Sequence, residues 1–388
     1  MNADNKKIKT ALLLVSSLTI MSMITISASL PDMTNAFAEI PNGKKLVKLV
    51  LSFPALFIAL SAIVTGMFID KFGRLKLLGI SLLFYAIGGS SGYWLDNIYL
   101  ILAGRALLGI CVGMSMTIVT TLVADYYEGV SRQKFAGLQI AVMSIGGIVF
   151  ITLGGLLADI NWRVPFLLYF FSLLILPFTY LYLKEPQHIA KIKQVDKSIQ
   201  SPKVIWFVFV NVLVMWLLFF IIPVQIPFYL KSIGIEKNVL IAIAIATSTL
   251  FSAVSAFSFS KLKNKFSFRQ LFALGYFLMA VAYCIIAFGG SYEMILLSMM
   301  LAGLGMGIMI PNANILVMKL APPEIRGREI GRLTTFWFMG QFLSPIILLP
   351  LLDIMPQTKL FFVLACILLG ISFLFFINKL LSEKPKLN

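Results

Sequence analysis

A short charged segment, Gly66-Met-Phe-Ile-Asp70-Lys71-Phe-Gly73-Arg74, separates two long apolar stretches of the sequence. Glycines at 66 and 73 predict a tight turn and a close approach of two helices, because glycine has no Cβ to obstruct either. Asp70 places a negative charge where helix N-termini and basic loops converge. Arg74 is then free to pair with Asp125, at the end of a later apolar stretch. We predict a gate that holds one side of the protein shut and breaks when that side opens; alternatively, these charges only mark the aqueous interface.

Arg105 is a second candidate, because it lies inside an apolar stretch. A lone cation at the centre of a membrane helix costs about 2.5–3.5 kcal/mol, and such charges usually face a cavity or a partner. The functional interpretation is a contact with a ligand bound in such a cavity. The structural interpretation is that Arg105 reaches the outer interface or bonds to the backbone of the first apolar stretch.

Amide and aromatic side chains in the second half of the chain are further candidates for substrate contact: Asn211, Gln225, Asn312, Asn314, Trp337 and Gln341. Each could instead form a helix–helix hydrogen bond worth about 0.6 kcal/mol. No Asp or Glu falls in the middle of an apolar stretch. A cavity that contains Arg105 and no deep acid suits an anionic or neutral substrate better than a lipophilic cation.

Twelve apolar stretches carry these residues, and each is long enough to cross a membrane, which takes about 20 residues. Hydrophobic residues make up 60% of the chain, charged residues 12%, and the mean hydropathy is +0.95, so a soluble fold would expose very large apolar patches. We therefore predict an all-α polytopic membrane protein. The predicted spans are residues 10–31, 46–69, 75–95, 97–125, 133–158, 163–183, 204–230, 237–260, 268–288, 292–318, 330–352 and 359–380.

The basic residues are distributed unevenly among the loops. Of the 32 Lys and Arg residues, 24 fall in one set of alternating loops and termini and 7 in the other, with Arg105 left over, whereas the acids divide 9 to 7. This asymmetry predicts an integral protein of a bacterial plasma membrane with both termini cytoplasmic. Anionic lipid of the inner leaflet, not nucleic acid, is the expected partner of the positive charge.

A polar stretch divides the chain into halves. We predict an N-terminal six-helix bundle over 1–183, a cytoplasmic linker over 184–203 that contains the single histidine, His188, and a C-terminal six-helix bundle over 204–388. A shift of 194 residues superposes several pairs, which predicts two pseudo-symmetric bundles with a substrate path between them. These pairs are Phe72 and Phe266, Gly109 and Gly303, Gly113 and Gly307, Arg132 and Arg326, and Gly137 and Gly331.

Several of these segments resemble motifs of the major facilitator superfamily. The segment from Gly66 to Arg74 matches its loop signature, and departs from it at Leu75. Arg105-Ala-Leu-Leu-Gly109 is similar to a second motif, with Leu108 where Gln is usual. Asn161-Trp162-Arg163, Arg326-Gly327 and Gly340-Gln-Phe-Leu-Ser-Pro345 also match. The resemblance is to the twelve-span drug/proton antiporter branch. It implies alternating access, gating by the 66–74 loop and a substrate or coupling role for Arg105.

One departure concerns mechanism. Antiporters of this family typically carry Gly-Pro ahead of Gly-Gly in the fifth span, and here Gly154-Gly155 follows Phe150-Ile151. We expect a secondary transporter that exports a small amphipathic or anionic organic molecule in exchange for protons; the alternative is an importer, symporter or uniporter, of a polar metabolite such as a sugar or organic acid.

Other function classes are less well supported. The sequence has no GxxxxGK[ST] nucleotide motif, and no catalytic group is visible in the predicted spans. We therefore expect neither an ATP-driven pump nor an enzyme, and no metal or cofactor. The expected partners are a small-molecule substrate, protons and membrane lipid, and we expect a monomer.

Overall fold

The computed structural model describes residues 6–185 and 200–377, and of Asp70 only the backbone. The ordered elements of these residues are all helical, and twelve spans are long and apolar enough to cross a membrane. They are, in order, spans 1 to 12: Lys6–Ala36, Gly43–Ile69, Arg74–Trp94, Ile98–Tyr126, Gly129–Ala158, Val164–Tyr182, Lys203–Ser232, Asn238–Lys265, Phe268–Phe288, Tyr292–Leu320, Pro323–Asp353 and Gln357–Ile377. The predicted all-α, twelve-span fold is thereby confirmed.

Spans 1 and 7 are both interrupted helices. Span 7 consists of the helices Lys203–Phe219 and Ile221–Ser232, because the ring of Pro223 clashes with the carbonyl four residues earlier, where the first helix ends. In span 1 the helix Lys6–Ile24 gives way to a 3₁₀ turn at Ser27–Ser29 and resumes at Leu30–Ala36. The predicted first span ended at Pro31, but proline is tolerated in the first turn of a helix, and the span continues.

Two apolar cores organise the twelve spans. One core gathers buried side chains between residues 8 and 183, and the other those between 205 and 375, with only a few members contributed by the opposite half. Spans 1–6 pack around the first core and spans 7–12 around the second. The two bundles meet along two lines, where span 2 contacts span 11 and span 5 contacts span 8.

The repeated glycines have the same structural role in each bundle. A Cβ on Gly109 or Gly113 of span 4 would overlap atoms of span 2, and one on Gly303 or Gly307 of span 10 would overlap carbonyls of span 8. Small residues let membrane helices approach backbone to backbone. The 194-residue offset seen in the sequence therefore corresponds to equivalent helix contacts.

The ends of the spans define two opposite faces of the protein. The linker side is the face where span 6 ends at Tyr182 and span 7 begins at Lys203. The far side is the opposite face, where span 1 ends at Ala36 and span 2 begins at Gly43. Because the number of spans is even, the first described helix begins on the linker side and the last described helix ends there.

Candidate transport pathway and its gates

The 66–74 segment comprises the end of the helix Gly43–Phe72, a turn at Gly73 and the first residue of span 3. Gly73 adopts φ +83°, a conformation that favours glycine, and span 3 begins at the next residue. The side chain of Arg74 is buried and pairs with Asp125 of span 4. Glu185 accepts hydrogen bonds from the backbone N–H groups of Arg74 and Leu75 at 2.8 and 2.9 Å, so a carboxylate caps the N-terminus of span 3.

Two expectations for this segment need correction. Gly66 lies in the helix Gly43–Phe72, and a Cβ there would meet no atom within 4 Å, so the close approach predicted at this exposed position is wrong in this conformation. The Arg74–Asp125 pair is intact although the cavity described below lies on the same side. Both partners belong to one bundle, so a rigid rotation of that bundle leaves them together. The side chain of Asp70 lies outside the described atoms, and its gating role stays a prediction.

Arg105 is fully buried between spans 4 and 6. Its guanidinium donates to the hydroxyl of Tyr169 at 2.9 Å and lies 4.7 Å from the ring centre of Phe166 and 4.9 Å from that of Tyr169. Cation–π contact of this kind is favourable, and more so when desolvated. The Nε and Nη2 atoms have no hydrogen-bond partner among the described residues. The interpretation that Arg105 reaches the outer interface is therefore wrong, and its hydrogen bond runs to span 6 instead of the span 1 backbone.

Two amides, Asn211 of span 7 and Asn312 of span 10, join helices of the second bundle. Asn211 accepts a 2.8 Å hydrogen bond from the hydroxyl of Tyr276 in span 9, and Asn312 donates at 2.8 Å to the carbonyl of Phe268 at the start of that span. Asn314 donates to the Ile310 carbonyl of its own helix at 3.2 Å. The Nδ2 atom of Asn211 and the Oδ1 atom of Asn312 have no hydrogen-bond partner among the described residues, so substrate contact by these amides stays a prediction.

The remaining candidates lie nearer the boundary between the bundles. Gln225 is buried, and no described residue bonds to its side-chain oxygen. Gln341 is buried in span 11. The rings of Trp337 and Trp216 are 6.0 Å apart, and neither indole N–H has a hydrogen-bond partner within residues 6–185 and 200–377. Trp216 contacts both apolar cores. Unpaired donors and acceptors at such a boundary are available to a ligand, so these residues stay candidates.

A cavity of about 550 Å³ separates the bundles on the linker side. Its walls come from residues 59–63 of span 2, 116–121 of span 4 and 327–338 of span 11. This volume is within the range of small-molecule sites, roughly 300–1,000 Å³. The predicted contacts Arg105, Asn211, Gln225, Asn312, Asn314, Trp337 and Gln341 are not among its lining residues, although Trp337 precedes the lining residue Phe338.

Polar contacts join the bundles on the far side, beside cavities of about 460 and 430 Å³. Asp32 of span 1 accepts a 2.8 Å hydrogen bond from the side-chain amide of Asn238 in span 8. The same carboxylate pairs with Lys231 of span 7 at 3.2 Å. Ser27, in the break of span 1, donates to the carbonyl of Pro223 beside the break of span 7. Span 1 and span 7 are thus bonded to each other at the breaks in their helices and in the segments that follow those breaks.

Two more contacts cross the same face. Asp159, after span 5, accepts from the backbone N–H groups of Asn238 and Val239 at 2.6 and 3.2 Å. A carboxylate at a helix N-terminus is favoured by unpaired N–H groups and by the helix dipole, and here the cap comes from the other bundle. Lys45 of span 2 pairs with Asp353 of span 11 at 2.7 Å.

Sequence reasoning missed the buried acid of span 11. Glu329 has no exposed surface, and its Oε1 accepts from Ser201 at 2.9 Å, Arg328 at 2.9 Å and Arg332 at 3.2 Å. We placed the predicted span from residue 330 onward, whereas the helix begins at Arg326. The available signal was the pair of arginines one residue before and three residues after a single glutamate.

Comparisons with known proteins agree with this architecture. The family described as Major Facilitator Superfamily matches residues 12–266 and 238–388. The bacillibactin exporter of Bacillus subtilis is 26% identical over 330 residues, covering 77% of this chain and 79% of the relative. The quinolone resistance protein NorA of Staphylococcus aureus is 25% identical over 316 residues, covering 79% and 80%.

Solved structures share the fold at lower identity. The D-xylose-proton symporter superposes with a TM-score of 0.77 at 15% identity, covering 96% of this chain and 97% of that one. A bacterial homolog of the human lysosomal transporter Spinster gives 0.78 at 15% identity, covering 97% of each chain. On the family match and the twelve-span fold, the chain belongs to the Major Facilitator Superfamily and is an integral membrane transporter, not an enzyme.

Proposed function

We propose that the protein is an exporter that works by alternating access and exchanges protons for a small amphipathic or anionic organic molecule. The observation that carries this proposal is the asymmetry of the inter-bundle path. A cavity lies on the linker side, and hydrogen bonds and ion pairs join the bundles on the far side. Such a path gives access from one side at a time, as alternating access requires.

The outward direction is supported by the relatives. Three of them are named as an exporter, a quinolone resistance protein and a multi-drug resistance efflux pump, at 25–26% identity. One local feature favours the alternative, uptake of a polar metabolite. Where antiporters typically have Gly-Pro, Phe150 and Ile151 are buried, and the Phe150 ring packs edge-on against Phe171 at 5.5 Å.

The test is reconstitution of the protein in liposomes that contain a pH-sensitive dye. Anionic, neutral and cationic compounds are added in turn, each against an imposed pH gradient. We expect anionic or neutral amphiphiles to evoke proton movement, and empty liposomes to give the control signal. Proton movement evoked by cations alone contradicts the proposed substrate class, and uptake of a sugar or organic acid with the gradient favours the importer.

We also propose that the linker side and both termini face the cytoplasm of a bacterial cell, because 24 of the 32 basic residues belong to that side. Single cysteines at Gln194, in the linker, and at Asn42, on the far side, test this orientation in a background without Cys111, Cys284 and Cys366. An impermeant maleimide should label position 42 in intact cells. Labelling of position 194 under the same conditions reverses the assignment.

A further inference from the structure

The described walls of the linker-side cavity carry charge of one sign. Arg328 and Arg332 line it, and the other described lining residues are apolar, glycine or threonine. The exposed fractions of the two arginine side chains are 28% and 40%, so water reaches both. Among residues 6–185 and 200–377, no acid lines this cavity. A ligand there meets two guanidinium groups.

The carboxylate of Glu329 lies behind these arginines. It is fully buried and bonded to both, while Ser201 donates to Glu329 and accepts from Arg332 at 3.0 Å. Both guanidiniums bond to this one carboxylate. The buried carboxylate also holds the two long side chains in place, which lowers the entropy lost when they bind a ligand.

Five threonines form a second part of the wall: Thr117, Thr120, Thr121, Thr334 and Thr335. Each hydroxyl donates to the carbonyl four residues earlier in its own helix, at 2.8–3.1 Å. These hydroxyls are satisfied without a ligand, so they give a neutral polar surface. Among the described lining residues, only the arginines carry charge.

We propose that Arg328 and Arg332 form the recognition site for the acidic group of an amphipathic organic anion that enters from the linker side. Guanidinium groups bind carboxylate and phosphate oxygens with paired, charge-assisted hydrogen bonds. The apolar part of the anion packs against Ile63, Met116 and Phe338 of the same cavity. This assignment deepens the proposed function by naming the substrate class and the side chains that select it.

The test is a binding measurement with a matched pair of probes, N-dansylglycine and its neutral amide. The protein is placed in phosphatidylcholine nanodiscs, and energy transfer from tryptophan to the dansyl group reports binding. We expect the carboxylate to bind at least about tenfold more tightly than the amide, since a hydrogen bond to a charged group is worth that much. Arg332→Gln should remove this preference, whereas Arg132→Gln, an exposed arginine on the linker side outside the cavity, should keep it.

A second variant keeps the proposal testable if Arg332→Gln fails to fold. Glu329→Gln leaves an amide that still accepts from Ser201 and the arginines, but removes the competing negative charge. We expect it to tighten binding of N-dansylglycine severalfold and leave the amide probe unchanged. A merely structural Glu329 would change both probes alike, and equal affinity of the two probes for the unaltered protein overturns the proposal.

Lipid headgroups carry the same chemistry, so the binding measurement is repeated in phosphatidylglycerol nanodiscs. Persistent preference for the carboxylate supports a soluble anion. Loss of probe binding only in phosphatidylglycerol assigns the arginines to lipid and overturns the substrate assignment. These outcomes are separate from the liposome experiment: if transport proceeds while the probes bind equally, the transporter proposal stands and the anion site does not.

Discussion

The two ends of the path differ in which bundle supplies the partner of each charge. On the far side, Asp32 and Asp159 of the first bundle bond to Lys231 and Asn238 of the second bundle. On the linker side, the pairs of Arg74 with Asp125 and of Arg332 with Glu329 each stay inside one bundle. Rotation of two rigid bundles must break the first kind of contact and can preserve the second. The far-side contacts are therefore the ones that hold this conformation.

The largest expected effect comes from making a far-side contact permanent. Cysteines at Lys45 and Asp353, in a background without native cysteines, can be joined by a short reducible thiol cross-linker across spans 2 and 11. We expect transport in liposomes to fall to about a tenth or less, because the far side can no longer open. Reduction of the cross-link should restore it.

The matched control is a cross-link at the same end within one bundle. Arg163 pairs with Asp96 and donates to the carbonyl of Leu95 at 2.9 Å, all in the first bundle. Cysteines at 96 and 163 should cross-link without loss of transport. Full activity of the cross-linked 45–353 variant would show that the far side need not open, and would remove the basis of the comparison.

The second effect concerns the stability of a pair inside one bundle. Arg74 and Asp125 are only 5% and 13% exposed, and removal of one partner of a buried pair costs about 3–5 kcal/mol. We expect Arg74→Met to lower the thermal unfolding midpoint and the abundance of the protein. The double variant Arg74→Met with Asp125→Leu should recover part of the stability, because the two opposite charges are removed together.

Transport by the double variant tests the gate. If the segment from Gly66 to Arg74 has a gating role, a stable double variant should still transport poorly. Transport at the unaltered rate would leave these charges with an interfacial role only. If the double variant is as unstable as Arg74→Met, the pair is not the main partner of either charge.

The sequence predicted the fold better than the pathway. Twelve spans, the tandem halves and the equivalent glycines at 109 and 303 follow from hydropathy and local backbone sterics, which are properties of short segments. Whether Asn211 faces a cavity or Tyr276 depends on how its helix is rotated about the helix axis. The composition of a uniformly apolar span does not reveal that rotation. Arg105 was correctly placed in a span, but its aromatic neighbours come from another helix, and Tyr169 lies 64 residues later in the sequence.

The far-side contacts were beyond sequence reasoning for a different reason. Asp32 and Asn238 are 206 residues apart and become neighbours only in one conformation of the bundles. Glu329 was closer to prediction, since its arginine partners are adjacent in sequence, but an error of four residues in the start of a helix hid it.

A smaller effect is expected from weakening one far-side contact. Asp32→Asn removes the charge that pairs with Lys231 and leaves an oxygen for Asn238. Because Asp32 is 31% exposed, water screens its pair with Lys231, and we expect this pair to stabilise the closed far side by about 1 kcal/mol. Its loss should shift the equilibrium toward far-side opening roughly fivefold. A cysteine at Ala28, buried between the bundles, should then react faster with an impermeant maleimide. Asp96→Asn, a 91% exposed acid of the same face, is the control and should leave the rate unchanged.

The smallest effect is expected at the most exposed far-side pair. Lys45 and Asp353 are 48% and 56% exposed, and surface pairs contribute about 0–1 kcal/mol because water and salt screen them. Lys45→Ala should therefore change the labelling rate at position 28 by less than about threefold, and raised salt should erase the difference. The Lys45–Asp353 pair and the Asp32–Lys231 pair both join the two bundles, but they differ in burial. Comparison of the two variants therefore shows whether burial determines how strongly a contact between the bundles holds the far side closed. If Lys45→Ala opens the far side as strongly as Asp32→Asn, crossing the boundary matters more than burial, and the exposed pair is a true part of the closure.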